Sequence, residues 1–473
     1  MATYENIKIS TEIPSTGVFQ SRPFNTLAAS KVSDLLQINH DNYHIYSHNF
    51  GLHNHILHHL LALYSLGATP QQLDDAYNFG IDSQRPTRPA NTRLVSDLVN
   101  PIVFKACLGK EKYYEDFFLL FQKEIAAKGM HETINQYLFK GDEIAEEMLK
   151  RFFSGFLHSP IHLGYAIEFC QPLVAAEALA LTAIHDAEFG ETLAMAEAVA
   201  KQSPESKGLV ELQEIIYANS KLRSAMKYEN GIFQIRDGLL ENAKVDFLHI
   251  LGSWKVNPDN LNEKTAESLN STIYWTTLAQ RPDKQIRFDF FLMHSITAGS
   301  LWPVLNSVSW ISPETKCRLL EWKGRSDLML YCQSGAPQLH PNELFSYRPH
   351  FPSGWPEIFR RACVYRDDGH LAKFIRAIAT SNENVRHFPG NPRFKIRSEE
   401  ELLTISHMVM DSAEDFNQNS ANDEASMICA KYGYPRLMSH EVQRVTARWP
   451  RHVGFAQSWF HVPARKPHLS AQL

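Results

Sequence analysis

The sequence predicts an all-α protein whose helices pack into a single large multi-helix domain. Apolar residues recur three and four positions apart through most of the chain, which is typical of helices that bury one face. Alternating apolar and polar runs with hairpin signals are missing. Of the 473 residues, 44% are hydrophobic and 11% are aromatic, which is ample for a large core. We therefore expect one folded unit over residues 1–473.

Periodic segments mark the individual helices. One helix is predicted through Phe50–Leu66, and the next starts at Thr69-Pro70, a capping residue followed by a proline in the first turn. The remaining segments with this pattern are Glu111–Phe139, Asp142–Phe153, Ile161–Ile184, Gly238–Leu251, Arg287–Leu305, Pro313–Cys332, Trp355–Thr380 and Glu399–Asp411.

Loops are predicted where proline, glycine and polar residues cluster. The polar stretch Lys201–Lys207 is the best candidate for a hinge. Because candidate metal ligands lie on both sides of it, we expect one folded unit. The predicted loops are Ile81–Asn91, Gln338–Gly354, Ser381–Arg397 and Ser412–Ser426.

Charge and composition narrow the class of protein. The formal net charge is −5, and no basic cluster is interleaved with aromatic residues, so we expect no nucleic-acid partner. No apolar run approaches a membrane span, and the first residues lack an apolar signal core. The six cysteines show no CxxC spacing, which favours reduced, mostly buried thiols. We expect a cytoplasmic protein without a membrane partner.

Histidines in predicted helices are the main functional signal. On the helix through Phe50–Leu66, His55 and His58 share a face with the small residue Ala62, because residues three and four apart are neighbours. His59 lies on the adjoining apolar stripe, and His53 is expected to point elsewhere. Neutral histidine is the commonest metal ligand. A helix face that carries histidines and small residues leaves space for a ligand, and it therefore predicts a bound metal ion.

A second helix repeats this design with His370, Lys373 and Ala377 on one side. Burial lowers the pKa of a lysine, and a neutral amine can capture carbon dioxide as a carbamate. A carbamate is an anionic oxygen ligand that would suit ferrous iron beside neutral imidazoles. The alternative is an ordinary helix-face lysine that pairs with Asp367 or Asp368.

Two isolated histidines, His162 and His294, complete the predicted metal set, although a lone histidine in an apolar helix is more often a satisfied core residue. Glu168 lies in an apolar run and must find a partner if it is buried. We expect it to orient His162 by a hydrogen bond, with an interhelical salt bridge as the alternative. The sequence thus predicts one metal bound by His162, His294, His370, Lys373 and at least one of His55, His58 and His59.

Four segments resemble the motifs of the questin oxidase-like family of fungal tailoring enzymes for aromatic polyketides. They are residues 51–68, residues 160–165 with Glu168-Phe169, residues 290–294, and residues 365–370 with Lys373, in the same order over residues 40–380. The resemblance implies an oxygenase that cleaves the central ring of an anthraquinone-type polyketide with dioxygen in secondary metabolism. It also implies a carboxylated lysine ligand at Lys373. The expected partners are a small aromatic substrate and dioxygen.

The residues and the resemblance together leave the cofactor open. The family's chemistry is described both as iron-dependent dioxygenation and as an NADPH-dependent Baeyer–Villiger-type monooxygenation. A flavin or nicotinamide site should show a strand, a Gly-x-Gly-x-x-Gly turn and a helix, and no such glycine pattern occurs. We therefore expect Fe²⁺, with NADPH at most as an external reductant. The residue pattern also admits a carbamate-lysine metallohydrolase, and it fits less well with a di-iron carboxylate enzyme or a helical scaffold without chemistry.

Residues beside the predicted ligands are candidates for the chemistry on a phenolic substrate. His44 and Tyr43 just precede the first histidine helix, and Tyr165 follows His162 by three positions. We expect these side chains to supply hydrogen bonds or a general base that deprotonates the phenol.

Overall fold

The computed structural model describes residues 1–11, 19–21, 25–47, 52–419 and 448–465. Helices make up nearly all of its regular structure, which confirms the predicted all-α class. In chain order they are α1 (Thr26–Asn42), α2 (Ile56–Ser65), α3 (Pro70–Ile81), α4 (Thr92–Asp97), α5 (Pro101–Cys107), α6 (Tyr114–Lys128), α7 (Met130–Ile134), α8 (Glu143–Phe152), α9 (Ser154–Glu168), α10 (Pro172–Ile184), α11 (Glu188–Gln202), α12 (Leu209–Ala218), α13 (Ser220–Ala225), α14 (Lys244–Gly252), α15 (Leu261–Leu278), α16 (Phe290–Gly299), α17 (Trp302–Ser307), α18 (Pro313–Gln333), α19 (Asn342–Phe345), α20 (Trp355–Val364), α21 (His370–His387) and α22 (Glu399–Asn419). Short 3₁₀ or π segments cover Glu111–Tyr113, Asn135–Phe139, Tyr228–Phe233, Gln234–Leu240, Pro258–Asn260 and Ala456–Trp459.

A small antiparallel sheet lies between α1 and α4. It consists of β1 (Tyr43–Ser47), β2 (Leu52–His53) and β3 (Gln84–Pro86), in the order β2-β1-β3. Tyr46 pairs with His53 across β1 and β2. Strands of two to five residues are too short to show alternation, so the sequence did not reveal this sheet. Its consequence is that His53 is held in a strand and not in a helix.

Several helix boundaries differ from the prediction. The helix expected from Phe50 begins at Ile56, with His55 at its N-cap. The segment Ile161–Ile184 divides into α9 and α10, since Pro172 opens a new helix. The segment Trp355–Thr380 is interrupted before Gly369. This residue has a φ of 91°, a left-handed conformation that favours glycine, and α21 starts at the next residue.

Three predicted loops are partly helical, since the short helix α19 (Asn342–Phe345) lies within Gln338–Gly354. In Ser381–Arg397, α21 continues to His387, and in Ser412–Ser426, α22 continues to Asn419. The polar residues that suggested loops occupy the exposed sides of these long helices, as for Glu383 and Arg386. Residues 420–426 lie outside the described residues.

The buried apolar residues form one cluster with members on both sides of Lys201–Lys207. Across this stretch α11 packs on α14. The five cysteines in the described part of the chain are free thiols, with Cys170 exposed and Cys107, Cys317, Cys332 and Cys363 buried. Among the described helices, none combines the length and the hydropathy needed to cross a bilayer. Within this core α2, α9, α16 and α21 pack against one another, and they bring the candidate ligands together.

Candidate metal centre

Four imidazoles form a closed group where these helices meet. We call His55, His158, His294 and His370 the four-histidine cluster. The ring centroids lie 5.0 Å apart from His55 to His158, 5.0 Å from His158 to His294, 5.2 Å from His294 to His370, and 4.6 Å from His370 back to His55. His55 is half-buried and the other three are buried.

In all four rings the Nδ1 atom faces an oxygen that only accepts hydrogen bonds. A carbonyl or an ionised carboxylate can accept only, so each Nδ1 carries the proton and each Nε2 presents a lone pair. Asp368 serves two of the rings. The distances are 2.6 Å from His158 Nδ1 to Gly155 O, 2.6 Å from His294 Nδ1 to Phe290 O, 2.6 Å from His370 Nδ1 to Asp368 Oδ1, and 3.3 Å from His55 Nδ1 to Asp368 Oδ2.

The Nε2 lone pairs lack ordinary partners. Among the described residues, His294 Nε2 and His370 Nε2 are buried without a hydrogen-bond partner. His55 Nε2 and His158 Nε2 lie 2.8 Å apart, so two lone pairs face each other. This arrangement is repulsive unless a cation lies between the two atoms. Buried polar atoms in native proteins are nearly always satisfied, so the cluster is a candidate metal site, and ligand atoms of His55, Asp368 and His370 lie within 4.8 Å of one another.

The protonation of the cluster suits this role. Burial and the charge of Lys373 lower the pKa of His55 to about 3. Burial also holds the pKa values of His158 and His294 well below the usual range. For His370 burial lowers the pKa, although the charge of Asp368 acts in the other direction. Neutral imidazoles, which are the form that binds metals, are therefore favoured at neutral pH.

Lys373 follows His370 by three residues on α21, and its Nζ is buried without a hydrogen-bond partner among the described residues. Burial lowers the pKa of this amine to about 8, while the charges of Asp368 and Asp367 act in the opposite direction. About a tenth of this amine is thus neutral at pH 7, far more than for a lysine with an ordinary pKa of about 10.4.

A left-handed turn places His158. The backbone of Gly155, Phe156 and Leu157 has φ values of 58°, 53° and 66°, which L-residues with side chains rarely adopt. The turn brings the Gly155 carbonyl oxygen within hydrogen-bond distance of His158 Nδ1, which donates to it. A Cβ on Gly155 would lie 2.5 Å from His185 Nε2, so glycine is required here. Unusual backbone of this kind concentrates at functional sites.

The other ligands sit at helix starts. Asp289 caps α16 by accepting from the backbone N–H groups of Phe291 and Leu292, which places His294 in the second turn. His370 is the first residue of α21, directly after the left-handed Gly369. A Cβ on Gly369 would lie 2.5 Å from the Cβ of His59, so α2 and α21 approach closely at this point.

The structure brings four of the predicted ligands, His55, His294, His370 and Lys373, to one place. His59 lies instead against Gly369 and beside the charge of Asp367. His162 turns both ring nitrogens to side chains outside the cluster. The position predicted for His162 is taken by His158, one helical turn earlier on α9.

A chain of hydrogen bonds leads from His58 towards α1. His58 Nε2 lies 3.1 Å from His162 Nδ1, and His162 Nε2 lies 3.0 Å from Glu177 Oε2. The other oxygen of Glu177 lies 2.7 Å from His40 Nδ1. The carboxylate that orients His162 is thus Glu177 on α10, a residue that lies outside the sequence motifs.

Glu168 makes an ion pair with Arg376, which joins α9 to α21. Glu168 therefore forms an interhelical salt bridge and not the predicted hydrogen bond to His162. Tyr165 packs its ring on His58, with centroids 5.7 Å apart, and burial raises the pKa of its hydroxyl to about 12.

His44 lies on β1 at a separate place. Its Nδ1 is 2.7 Å from Arg85 Nη2 and accepts from the Tyr46 N–H, and its ring packs on Tyr114. Burial and Arg85 lower the pKa of His44 to about 3. Tyr43 begins β1 and is half-buried. No hydrogen bond or ring contact between described residues joins His44 or Tyr43 to the four-histidine cluster, and their catalytic role stays a prediction.

The expectation that His53 points elsewhere was wrong. Its ring stacks on His158 with centroids 3.7 Å apart, and its Nε2 lies 2.9 Å from His185 Nε2. The prediction assumed a helix at His53, whereas β2 directs its side chain inwards. His158 and His185 were also missed. The spacing of His158 four residues before His162 was the one available signal, because it puts both on one helix face.

Known proteins of one family resemble this chain over most of its length. The profile of the questin oxidase-like family matches residues 52–378. The chain is 36% identical over 469 residues to "Oxidoreductase AflY" of Aspergillus parasiticus, covering 98% of this chain and 94% of that protein. It is 35% identical over 467 residues to "Questin oxidase" of Aspergillus terreus, covering 98% of each. It is 34% identical over 421 residues to "Baeyer-Villiger oxidase ptaJ" of Pestalotiopsis fici, covering 88% of this chain and 94% of that protein.

Proposed function

The chain belongs to the questin oxidase-like family, and from this premise we propose that it is a non-heme iron oxygenase. Its substrate would be an anthraquinone-type polyketide, whose central ring it cleaves with dioxygen in secondary metabolism. The relatives are named as oxidases and oxidoreductases, and the chain is an oxidoreductase. The observation that carries the iron proposal is the grouping of four imidazole rings, two of them with a buried, unpartnered Nε2, beside the unpartnered Lys373 Nζ among the described residues.

His55, His158, His294 and His370 would hold the iron. Ferrous iron in such a site supplies the activation of dioxygen, which a closed-shell aromatic substrate does not achieve by itself. Asp368 accepts hydrogen bonds from two of these rings, which fixes their orientation and increases the basicity of their Nε2 atoms.

Lys373 would supply the charge that the imidazoles lack. Four neutral rings leave the two positive charges of the ion uncompensated. The neutral amine of Lys373 adds to carbon dioxide to give a carbamate and one proton, and the carbamate oxygen is anionic. Hard anionic oxygen with imidazole nitrogen suits ferrous iron better than nitrogen alone. The lowered pKa of Lys373, about 8, favours this reaction.

Aromatic side chains beside the cluster suit a flat phenolic substrate. The Phe290 ring lies 4.4 Å from the ring of His294 and 5.5 Å from that of His370. The Phe156 ring lies 4.9 Å from that of Phe291 and 6.3 Å from that of His294. Such surfaces offer stacking contacts to an anthraquinone.

The direct experiment measures metal content and dioxygen uptake. The purified protein should contain about one iron per chain, and it should consume dioxygen with a reduced anthraquinone as substrate. A zinc-only protein that hydrolyses an ester or amide would support a metallohydrolase. A protein without metal or turnover would support a scaffold.

A Baeyer–Villiger monooxygenase is a second candidate, because relatives such as ptaJ carry that name. It would require a reduced flavin or an equivalent oxygen carrier, with NADPH as the reductant. A flavin spectrum in the purified protein, or stoichiometric NADPH consumption by the protein alone, would decide in its favour. The iron proposal expects neither.

Lys373→Arg tests the carbamate. Arginine keeps the length and the positive charge but cannot form a carbamate, so iron content should fall at least about tenfold. Removal of carbon dioxide during reconstitution should lower the iron content of the wild type, and bicarbonate should restore it. The matched control is Lys264→Arg, a buried lysine of α15 that pairs with Glu267, which should keep its iron. An arginine variant at position 373 with full iron content and turnover would contradict the proposal.

A further inference from the structure

We propose that Arg451 binds an anionic group of the aromatic substrate, an ionised phenol or acid, and so makes this site prefer flat aromatic anions to neutral rings. The inference deepens the proposed function and rests on it for the polyketide class of the substrate. Arg451 lies outside residues 52–378, which the family profile matches, and it was not among the residues predicted from the sequence.

The chain around Arg451 is fastened to the start of α16, the helix that carries one of the proposed ligands. Asp289 caps this helix with its Oδ1 atom, and its Oδ2 atom accepts from the Val453 N–H at 3.1 Å. The Phe290 N–H donates to the Pro450 carbonyl oxygen at 2.9 Å. Since these two hydrogen bonds lie on either side of Arg451 in the chain, they fix its position against the first turn of α16.

His452, the next residue, fixes the direction of the chain at this point. Its φ is 61°, a left-handed conformation that residues with a Cβ rarely adopt. A carbonyl oxygen only accepts, so His452 Nδ1 donates to Gln333 O at 2.7 Å. The His452 ring lies 4.9 Å from that of Phe291. The chain is thus held in a strained turn, with Arg451 and His452 packed on successive phenylalanines of α16.

The guanidinium of Arg451 lies close to the four-histidine cluster. Its Cζ atom is 4.6 Å from the centroid of the Phe290 ring. The same ring lies 4.4 Å from the ring of His294 and 5.5 Å from the ring of His370. A permanent cation is therefore one aromatic ring away from two of the proposed iron ligands.

The chemistry of Arg451 suits an anionic oxygen. A guanidinium carries five N–H donors in a planar fork, so it can serve a neighbour in the protein and still bind a carboxylate or a phenolate. The carboxylates beside the cluster have other partners. Asp368 accepts from two rings of the cluster, and Asp367 lies 3.9 Å from Arg448 Nη1. The positive charge of Arg451 is thus available to attract an anionic substrate.

Solvent reaches this part of the molecule. The side chain of Asp368 is 36% exposed and that of His55 is 12% exposed. Arg451 and Phe156 are half-buried, and the Phe156 ring lies 6.2 Å from the ring of Phe290. Accessible space therefore borders both the cluster and the arginine, which allows a ligand to reach Arg451 from solvent.

The experiment compares two probes of the same shape and different charge. Anthraquinone-2-sulfonate is a permanent anion and a weak metal ligand, and anthraquinone-2-sulfonamide is its neutral counterpart. Calorimetric titration of the purified protein without dioxygen gives both dissociation constants. The wild type should bind the sulfonate at least about tenfold more tightly than the sulfonamide, because a charge-assisted hydrogen bond to Arg451 is specific to the anion.

Two variants of Arg451 separate its charge from its geometry. Arg451→Gln should weaken binding of the sulfonate at least about tenfold and change binding of the sulfonamide by less than about twofold. Arg451→Lys should keep part of the preference, since lysine retains the charge but not the planar fork. Added salt should weaken binding of the sulfonate to the wild type and have little effect on Arg451→Gln.

The matched control is Arg223→Gln. Arg223 is an arginine of α13 whose Cζ atom lies 5.3 Å from the centroid of the Tyr217 ring, so it makes the same kind of ring contact elsewhere in the fold. This variant should keep the preference of the wild type for the sulfonate. Circular dichroism checks that all variants are folded.

Three results would overturn the inference. If Arg451→Gln binds the sulfonate as tightly as the wild type, Arg451 does not bind the anion. If this variant loses affinity for both probes to the same degree, Arg451 supports the packing of the site and does not recognise charge. A wild type that binds both probes equally would also contradict the inference. Because the probes need neither iron nor turnover, an Arg451-dependent preference in a protein without oxygenase activity would support this inference while it contradicts the proposed function.

Discussion

Single residues in this centre are distinguished by the partner of their second ring nitrogen. His158 and His162 lie on the same face of α9, one turn apart. His158 donates from Nδ1 to a carbonyl and presents Nε2 to His55, whereas both nitrogens of His162 are occupied by His58 and Glu177. The two histidines look equivalent in the sequence, and only the hydrogen bonds distinguish the candidate ligand His158 from His162, whose ring nitrogens are both engaged.

Replacement of each histidine separately tests this distinction. His158→Ala removes one of four proposed ligands, so iron content should fall at least about tenfold, as expected when a metal site loses part of its support. His162→Ala should retain most of its iron, because both nitrogens of His162 bond to side chains outside the four-histidine cluster. Metal analysis of both purified variants, with circular dichroism as a check on folding, is the measurement. Equal iron loss in the two variants would contradict the assignment.

Asp368 and Asp367 offer a second comparison at this scale. Asp368 orients two imidazoles, so Asp368→Asn should weaken metal affinity by about 10- to 100-fold. Asp367 accepts from the backbone N–H groups of Gly369 and Leu371 with its two oxygens. Asp367→Asn replaces one of these acceptors by an amide donor and should cost about 1 kcal/mol in the free energy of unfolding, with affinity little changed. Competition with a chelator and thermal unfolding measure the two effects. If Asp367→Asn weakens metal affinity and Asp368→Asn lowers only stability, the roles assigned to the two carboxylates are wrong.

Much of the site could be predicted from residue types and spacing. His294, His370 and Lys373 are polar groups in apolar helices, so the sequence marks them as unusual. His158 was not predicted as a ligand, because its position depends on the left-handed turn at residues 155–157, which helical periodicity does not predict. The role of Glu177 could not be predicted, because its partners His40 and His162 lie on α1 and α9, far away in the sequence.

At the scale of elements, the centre depends on where helices begin and end. The periodicity predicted most helices, but it joined α9 to α10 and α20 to α21, because the apolar pattern continues across both breaks. The breaks matter functionally. The restart after Gly369 makes His370 the first residue of α21, and the turn at Gly155 sets the start of right-handed helix at His158.

Gly155→Ala tests the turn. The added Cβ would lie 2.5 Å from His185 Nε2 at a φ of 58°, so both contact and backbone strain oppose it. Gly141 has a φ of 77° with nothing within 4 Å of its added Cβ, and Gly141→Ala therefore carries the strain alone. We expect Gly155→Ala to lower Tm more than Gly141→Ala and to reduce iron content, whereas Gly141→Ala keeps its iron. Equal effects in both variants would show that the turn does not position His158.

At the scale of the whole molecule, the four-histidine cluster joins distant parts of the chain. His55 belongs to the first helices, His158 to α9, His294 to α16 and His370 to α21. A metal that bridges them binds only the folded chain, so its binding free energy adds to the stability of the fold.

Metal removal should therefore lower Tm. Free metal at 100 times the dissociation constant stabilises the folded state by about 2.7 kcal/mol. We expect a chelator to lower the Tm of the wild type by a few degrees and ferrous iron to restore it under anaerobic conditions. His370→Ala, which lacks one proposed ligand, is the control and should show no such shift. If neither the chelator nor iron changes the Tm of the wild type, that result would contradict a metal bridge between these helices.

The most direct measurement of the central claim is anomalous scattering at the iron absorption edge from crystals of the iron-loaded protein. Our account predicts one peak within bonding distance of Nε2 of His55, His158, His294 and His370, with continuous density from Lys373 to an oxygen on the same ion. A protein that consumes dioxygen with an anthraquinone but shows no iron peak at these four atoms, or shows the peak at His59 or His162, would contradict it.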